Sequence, residues 1–271
     1  MATILWITLS LIIFVYLGII VFMYFFQEKL LYEPTRKIVI TPADFGLDYK
    51  DVYFTAQDNT KLHGWFVEAK NPEYTILLCH GNKGNVGERA DTLGFLYELN
   101  LSTFLFDYRG YGRSEGKTTE NGTYQDAQAA WDYLIDQKKI KPEKIIIIGR
   151  SMGGPIAAKL ASKVQPKMLA LETTFISLTK LAQQLYPYLP VKYITRLKYN
   201  TEKYVKKIKI PVLIIQSTTD EVIPFNHGKE LFKIANEPKE FQEIEGDHGN
   251  CIVISGKIYT KKWKEFITKY K

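Results

Sequence analysis

The sequence predicts an α/β protein built on one largely parallel sheet with helices on both faces, preceded by a membrane-crossing helix. Three observations carry this expectation. From Tyr74 onward, short apolar runs alternate with helical stretches; Lys144 to Ser162, KIIIIGRSMGGPIAAKLAS, reads as a strand, a sharp turn and a helix; and residues 1–27 contain no charged side chain. At 271 residues the chain holds one α/β domain of ordinary size with some tens of residues to spare.

The spare residues lie at the N-terminus. Residues 1–27 are dense in Ile, Leu, Val and Phe, with Trp6, Tyr16 and Tyr24 among them. At ~1.5 Å per residue, ~25 helical residues cover roughly 37 Å, enough to cross a ~30 Å hydrocarbon core with tilt. The alternative, a secretory signal peptide, wants a basic n-region, a shorter apolar run and a small-residue cleavage site, and none of these is present. Lys29, Arg36 and Lys37 follow the span, so the positive-inside rule places the domain in the cytoplasm of a single-pass membrane protein. Residues 28–50, with Pro34 and Pro42, then read as a connector, and 51–271 as the folded domain.

The formal charge of +7 is uneven: residues 1–190 carry 20 basic and 19 acidic side chains, and residues 191–271 carry 16 and 10. A basic C-terminal third beside a membrane span suits either anionic headgroups or a lysine-rich solvated face. No nucleic-acid-binding motif accompanies it, so the expected partners are the lipid bilayer and a substrate. Cys79 and Cys251 are the only cysteines and read as two reduced, mostly buried thiols rather than a disulfide framework.

Within the domain, Asp51 to Thr55 and Lys61 to Glu68 flank the Gln57-Asp58-Asn59 turn and read as an antiparallel hairpin at a sheet edge. Six further strands are expected at Tyr74–Cys79, Thr103–Phe106, Lys144–Ile148, Met168–Leu171, Val212–Gln216 and Glu240–Ile244, making eight in all. Ligands in such sheets bind beyond the carboxyl ends of the strands, so the loops at 80–85, 107–114, 217–220 and 246–250 are the places to look for chemistry.

The strongest local signal is G-R-S-M-G at 149–153. Four consecutive isoleucines before it suit a strand covered on both faces, and Pro155 suits the first turn of a following helix. This is the G-x-S-x-G nucleophile elbow, which lifts a serine hydroxyl above the sheet edge and points a helix N-terminus at it. Taken alone, the pattern also fits a tightly packed glycine-rich turn with no catalytic role.

A serine hydroxyl is a poor nucleophile at neutral pH; it needs a histidine to take its proton and an acid to orient that histidine. Of four histidines, His248 lies in a polar loop after the last strand and is the expected base. His63 reads as structural, His227 as the start of a surface helix, and His80 as a brace for backbone near the site. Asp220, after the strand at 212–216, is the expected acid, with Glu221, Asp247 and Glu172 as competitors; Asp107 precedes the serine and more naturally ties down its own loop. The expected oxyanion donors are the backbone N–H groups of Met152 and of Asn82 in the loop after strand 74–79. Reading G-N-K-G-N as a phosphate loop fails for want of a G-K-[ST] ending.

The segment of about 173–209 is too long for an ordinary connection of ~2–6 residues and should form a small cap, broken at Pro187 and Pro190. Its apolar and aromatic side chains, with Lys192, Arg196 and Lys198 interleaved, suit an acyl groove at a membrane surface, and Tyr186 and Leu189 are its expected substrate contacts. The alternative is that these side chains only seal the core.

Together, HGNKGN, DYRGYGRSEG, GRSMGG, LETTFISL and GDHGN resemble the membrane-tethered α/β-hydrolase-fold proteins that include the fungal bud-emergence and animal hydrolase-domain proteins, some of which are depalmitoylases. The resemblance runs from about Leu31 to Tyr270 and departs from many relatives at Lys83 and Gly249. It implies a serine hydrolase with Ser151, Asp220 and His248 as its triad. The expectation is therefore a membrane-anchored serine hydrolase of the α/β-hydrolase fold that cleaves an ester or thioester, such as that of a lipid or an acylated protein, and needs no metal or organic cofactor. A serine peptidase of the same fold and a non-catalytic membrane scaffold are the alternatives.

Overall fold

A computed structural model describes all residues, 1–271. Its centre is an eight-stranded sheet whose strands, in chain order, are β1 (Lys50–Thr55), β2 (Lys61–Val67), β3 (Thr75–Cys79), β4 (Ser102–Asp107), β5 (Ile145–Arg150), β6 (Met168–Glu172), β7 (Val212–Ser217) and β8 (Lys239–Ile244). Across the sheet they run β8-β7-β6-β5-β3-β4-β2-β1. All neighbours are parallel except that β2 runs antiparallel to both β1 and β4. Every strand expected from the sequence is present, and β5 lies fourth from one edge.

The isoleucine run of β5 explains why the sheet needs cover on both sides. Successive side chains of a strand point to opposite faces. Ile145 and Ile147 belong to one apolar cluster, Ile146 and Ile148 to the other, and all four are fully buried. The first face is covered by α3 (Glu120–Asp132), α4 (Gly153–Val164) and α8 (Asn226–Ile234), which supply Trp131, Ile156, Leu160 and Leu231. The second is covered by α2 (Ala90–Glu98) and α10 (Gly256–Lys269), which supply Leu93, Leu96, Tyr259, Trp263 and Phe266.

The N-terminal helix α1 spans Ala2–Leu31, about 45 Å, uncharged up to Gln27 and with no buried residue. It is long and apolar enough to cross a membrane. Residues 28–31 complete this helix rather than begin the connector, and the chain beyond it is held: Glu33 and Pro34 pair in parallel with Lys83 and Gly84.

The long connection from β6 to β7 carries α5 (Leu178–Leu185), α6 (Val191–Ile194) and α7 (Thr201–Val205). Helix α5 stops just before Pro187, which lacks the N–H needed to continue it, and α6 starts just after Pro190, where a missing N–H costs nothing. A short α9 (Cys251–Ile254) precedes α10.

Candidate active site

The turn between β5 and α4 is as tight as the glycine spacing requires. A Cβ on Gly149 would come within 2.5 Å of the Gly153 carbonyl oxygen, and one on Gly153 would strike the Cys79 carbonyl. Ser151 takes up the strain itself, with φ at 53°, a left-handed conformation that costs a non-glycine residue roughly 1–3 kcal/mol. Three contacts hold it there: its N–H donates to the Glu172 carbonyl at 3.0 Å, and its carbonyl accepts from the Gly154 N–H at 3.0 Å and from the Thr174 hydroxyl at 2.6 Å.

His248 and Asp220 arrive from the loops after β8 and β7. His248 Nε2 lies 3.0 Å from Ser151 Oγ, and His248 Nδ1 lies 2.8 Å from Asp220 Oδ2. The other oxygen of Asp220 accepts the N–H groups of Val222 at 2.9 Å and Ile223 at 2.7 Å, so the carboxylate cannot turn away from the ring. The two loops are joined where the Ser217 and Thr219 hydroxyls donate to the Gly246 carbonyl.

The rival acids have other partners. Glu172 is fully buried in bonds from Arg150, at 2.9 and 3.1 Å, and from the Tyr259 hydroxyl at 2.7 Å. Glu221 accepts the backbone N–H of His248 at 3.0 Å, and Asp247 accepts the N–H groups of Gly249 and Asn250 at 3.0 Å. Asp107 ties down loops, accepting the Val86 N–H at 2.9 Å. His227 is buried rather than on the surface: it accepts from the Ile176 N–H at 3.3 Å and meets Gln184 at 3.1 Å, because the first turn of α8 packs beneath α5.

The loop after β3 is pinned by its carbonyl groups. The Tyr108 hydroxyl donates to the His80 carbonyl at 3.0 Å, His80 Nδ1 to the Gly81 carbonyl at 2.7 Å, and the Tyr111 hydroxyl to the Asn82 carbonyl at 2.6 Å. A trans peptide sets its N–H opposite its C=O. Fixing the Gly81 carbonyl on His80 therefore turns the Asn82 N–H the other way, while the position of a Cβ on Gly81 would lie 3.4 Å from Ser151 Cβ. Neither the Asn82 nor the Met152 N–H has an acceptor within the protein. His80 stays neutral: burial, then the nearby Arg89 charge, pull it down to about 3. Burial pushes the Cys79 thiol up to about 12 and that of Cys251 to about 11, which makes both poor nucleophiles.

Of the cap residues, Tyr186 lines a groove of about 330 Å³ between the cap and α1, whereas Leu189 does not line it. The α1 side of this groove, including Met23, Leu30 and Leu31, and the grip of the Asn82 side chain on the Leu31 carbonyl at 2.7 Å were not foreseen from sequence. The signal available was that the apolar run resumes at Leu30–Leu31 after the first charges.

Residues 70–199 match the family model described as serine aminopeptidase, S33. The chain is 33% identical over 274 residues to the α/β-hydrolase domain-containing protein WAV2 of Arabidopsis thaliana, covering 90% of this chain and 88% of that one. It is 31% identical over 230 residues to the protein bem46 of Schizosaccharomyces pombe, covering 79% and 77%. Among solved structures it is similar to the Pyrococcus furiosus esterase Pf2001, with a TM-score of 0.72 at 25% identity over 88% of this chain and 97% of that one. The chain belongs to the α/β-hydrolase family.

Proposed function

We propose that this protein is a membrane-anchored serine hydrolase that cleaves a carboxylic ester or thioester of a lipid-like acyl group through an acyl-enzyme. The observation that carries the reading is the unbroken hydrogen-bond chain Ser151–His248–Asp220, with links of 3.0 and 2.8 Å. Ser151 Oγ attacks the acyl carbon as its proton passes to His248 Nε2, and Asp220 holds the imidazolium that forms. The N–H groups of Asn82 and Met152 bind the oxyanion. His248 then gives its proton to the leaving alcohol or thiol, and water, deprotonated by the same nitrogen, releases the acid and restores Ser151. Helix α1 is the single-pass anchor, with the domain on the cytoplasmic side, where Lys29, Arg36 and Lys37 favour it.

A peptidase reading is favoured by one observation, the description of the matching family model. Against it, the groove beside the cap is lined by no carboxylate that would bind a free α-amine; Gln27 and Thr195 are its only lining residues without an apolar or aromatic side chain. The experiment is turnover by the full-length protein of acyl esters of graded length, thioesters and aminoacyl amides, together with labelling by a fluorophosphonate. Labelling at Ser151 and a kcat/KM that rises with acyl length are expected. Faster cleavage of aminoacyl amides would move the assignment to a peptidase, and failure to label would favour a non-catalytic scaffold.

A further inference from the structure

The cap does not stand clear of α1 but lies along it. The Tyr16 hydroxyl donates to the Tyr188 carbonyl at 2.8 Å, the Gln27 side chain donates to the Ile194 carbonyl at 2.7 Å, and Gln27 accepts the Arg196 N–H at 2.8 Å. The Arg196 guanidinium also sits 5.2 Å from the centre of the Tyr24 ring. Tyr16 and Gln27 are eleven residues apart, about 16 Å along a helix, which is close to the ~15 Å hydrocarbon depth of one leaflet. With α1 across a bilayer, the cap tip is therefore level with lipid chains; a tilt of the helix makes the tip shallower without lifting it out of the leaflet.

The tip has the surface for that place. Tyr188 and Tyr193 are 89% and 82% exposed, while Lys192, Arg196 and Lys198 lie close by to reach headgroups. The groove of about 330 Å³ runs between the two elements, with Met23, Leu30 and Leu31 of α1 facing Leu181, Leu185 and Ile194 of the cap. That volume falls within the ~300–1,000 Å³ range of small-molecule sites.

Two of the residues that line the groove are bonded to the catalytic loops. Leu31 offers its carbonyl to the Asn82 side chain, at 2.7 Å, and the N–H of the lining residue Val222 donates to Asp220 at 2.9 Å. The groove thus borders the oxyanion loop and the turn that holds the acid, and one of its walls is the exposed surface of α1.

We propose that the substrate's long acyl chain binds in this groove, entering it sideways from the leaflet, so that the C-terminal stretch of α1 from Met23 to Leu31 is a wall of the substrate site as well as an anchor. The occupant is the hydrocarbon chain of an ester or thioester resident in the membrane. This rests on the acyl-hydrolase reading above. Anchoring alone would not explain why the helix end is bonded to the oxyanion loop and shares an apolar groove with the cap.

The test uses the full-length protein in phosphatidylcholine vesicles and 4-nitrophenyl esters from two to sixteen carbons. Rates are normalised to the fraction of Ser151 that a fluorophosphonate labels, so that misfolded protein is not counted. Met23→Trp and Leu30→Trp fill the groove, and excluding two methylenes lowers the kcat/KM ratio of dodecanoyl to acetyl ester about tenfold. The paired Met23→Ala and Leu30→Ala changes enlarge it and move the preferred chain length upward, a shift that loss of folding cannot mimic. Phe14→Trp, on α1 outside the groove, leaves the profile as it is. If the unaltered protein prefers long chains and both groove variants keep its profile, this inference falls while the hydrolase reading stands. If the unaltered protein has a flat profile, the acyl reading itself fails and this inference with it.

Discussion

The side-chain amide of Asn82 donates to the carbonyl of Leu31 at 2.7 Å, joining the loop beside Ser151 to the last residue of the N-terminal helix. The Leu31 carbonyl lies in the final turn of α1, where no intrahelical N–H remains to satisfy it. Asn82→Ala keeps the backbone N–H assigned to the oxyanion but releases this tether. Its kcat for an acetyl ester is expected to fall by less than the ~10²–10³-fold that follows loss of an oxyanion donor. A fall as large as that of Ser151→Ala would mean that Asn82 has another role.

Ser151→Ala is expected to lower kcat by a factor on the order of 10⁶ with the fold intact, since His248 and Asp220 have no other nucleophile to activate. Circular dichroism and ester turnover measured on the same sample check this. Near-normal turnover would exclude Ser151.

Asp220→Asn is expected to keep the bonds from Val222 and Ile223 but to face the ring with an amide N–H, which favours the wrong histidine tautomer. The expected cost is ~10⁴ in kcat, by analogy with other triads. Glu172→Gln should act differently. It breaks the buried pair with Arg150 and should cost about 3–5 kcal/mol of stability, read from a urea midpoint. If Glu172→Gln lost activity at undiminished stability, the acid would have to be reassigned.

Acid should weaken the fold through His80. Its folded value of about 3 lies below its ordinary 6.5, so the unfolded chain takes up a proton that the folded one refuses. The stabilising contribution is complete above pH 6.5 and is lost as pH falls from there toward 3. In His80→Gln the slope of unfolding free energy against pH in that window should shrink by up to one proton. An unchanged slope would show that His80 is not buried as described.

The thiols respond at the other end of the pH scale. Cys79 and Cys251 are held near 12 and 11 by burial, against an ordinary value of 9.0, so above pH 9 the unfolded chain loses protons that the folded one keeps. Stability should therefore fall as pH rises from 9 toward 11–12. At pH 8 iodoacetamide should modify neither thiol in the folded protein and both after denaturation. Rapid modification of either in the folded state would contradict this burial.

The eight strands were legible because each has its own local signal: four isoleucines in β5, apolar runs in β3 and β7, and turn residues between β1 and β2. The elbow was equally legible, since G-x-S-x-G is a local pattern: Gly149 answers to Gly153, Gly154 and Ala157 nearby, although what Gly153 meets is the Cys79 carbonyl of β3. By itself the sequence determined the α/β class, the apolar N-terminal helix and the short set of residues from which a serine site could be drawn. Periodicity and turn chemistry act over stretches of the chain short enough to read directly. It put Asp220 ahead of Glu221, Asp247 and Glu172 only by its place after the strand at 212–216, because each stands near a strand end and they differ chiefly in what they meet in space. Only the tertiary structure decided that Asp220 faces His248, that Arg150 and Tyr259 occupy Glu172, and that α1 lies against the cap and grips Asn82. Those contacts join residues 28, 22, 87, 167 and 51 positions apart, and at such separations partners are set by how the whole sheet and its loops pack, which no local pattern encodes.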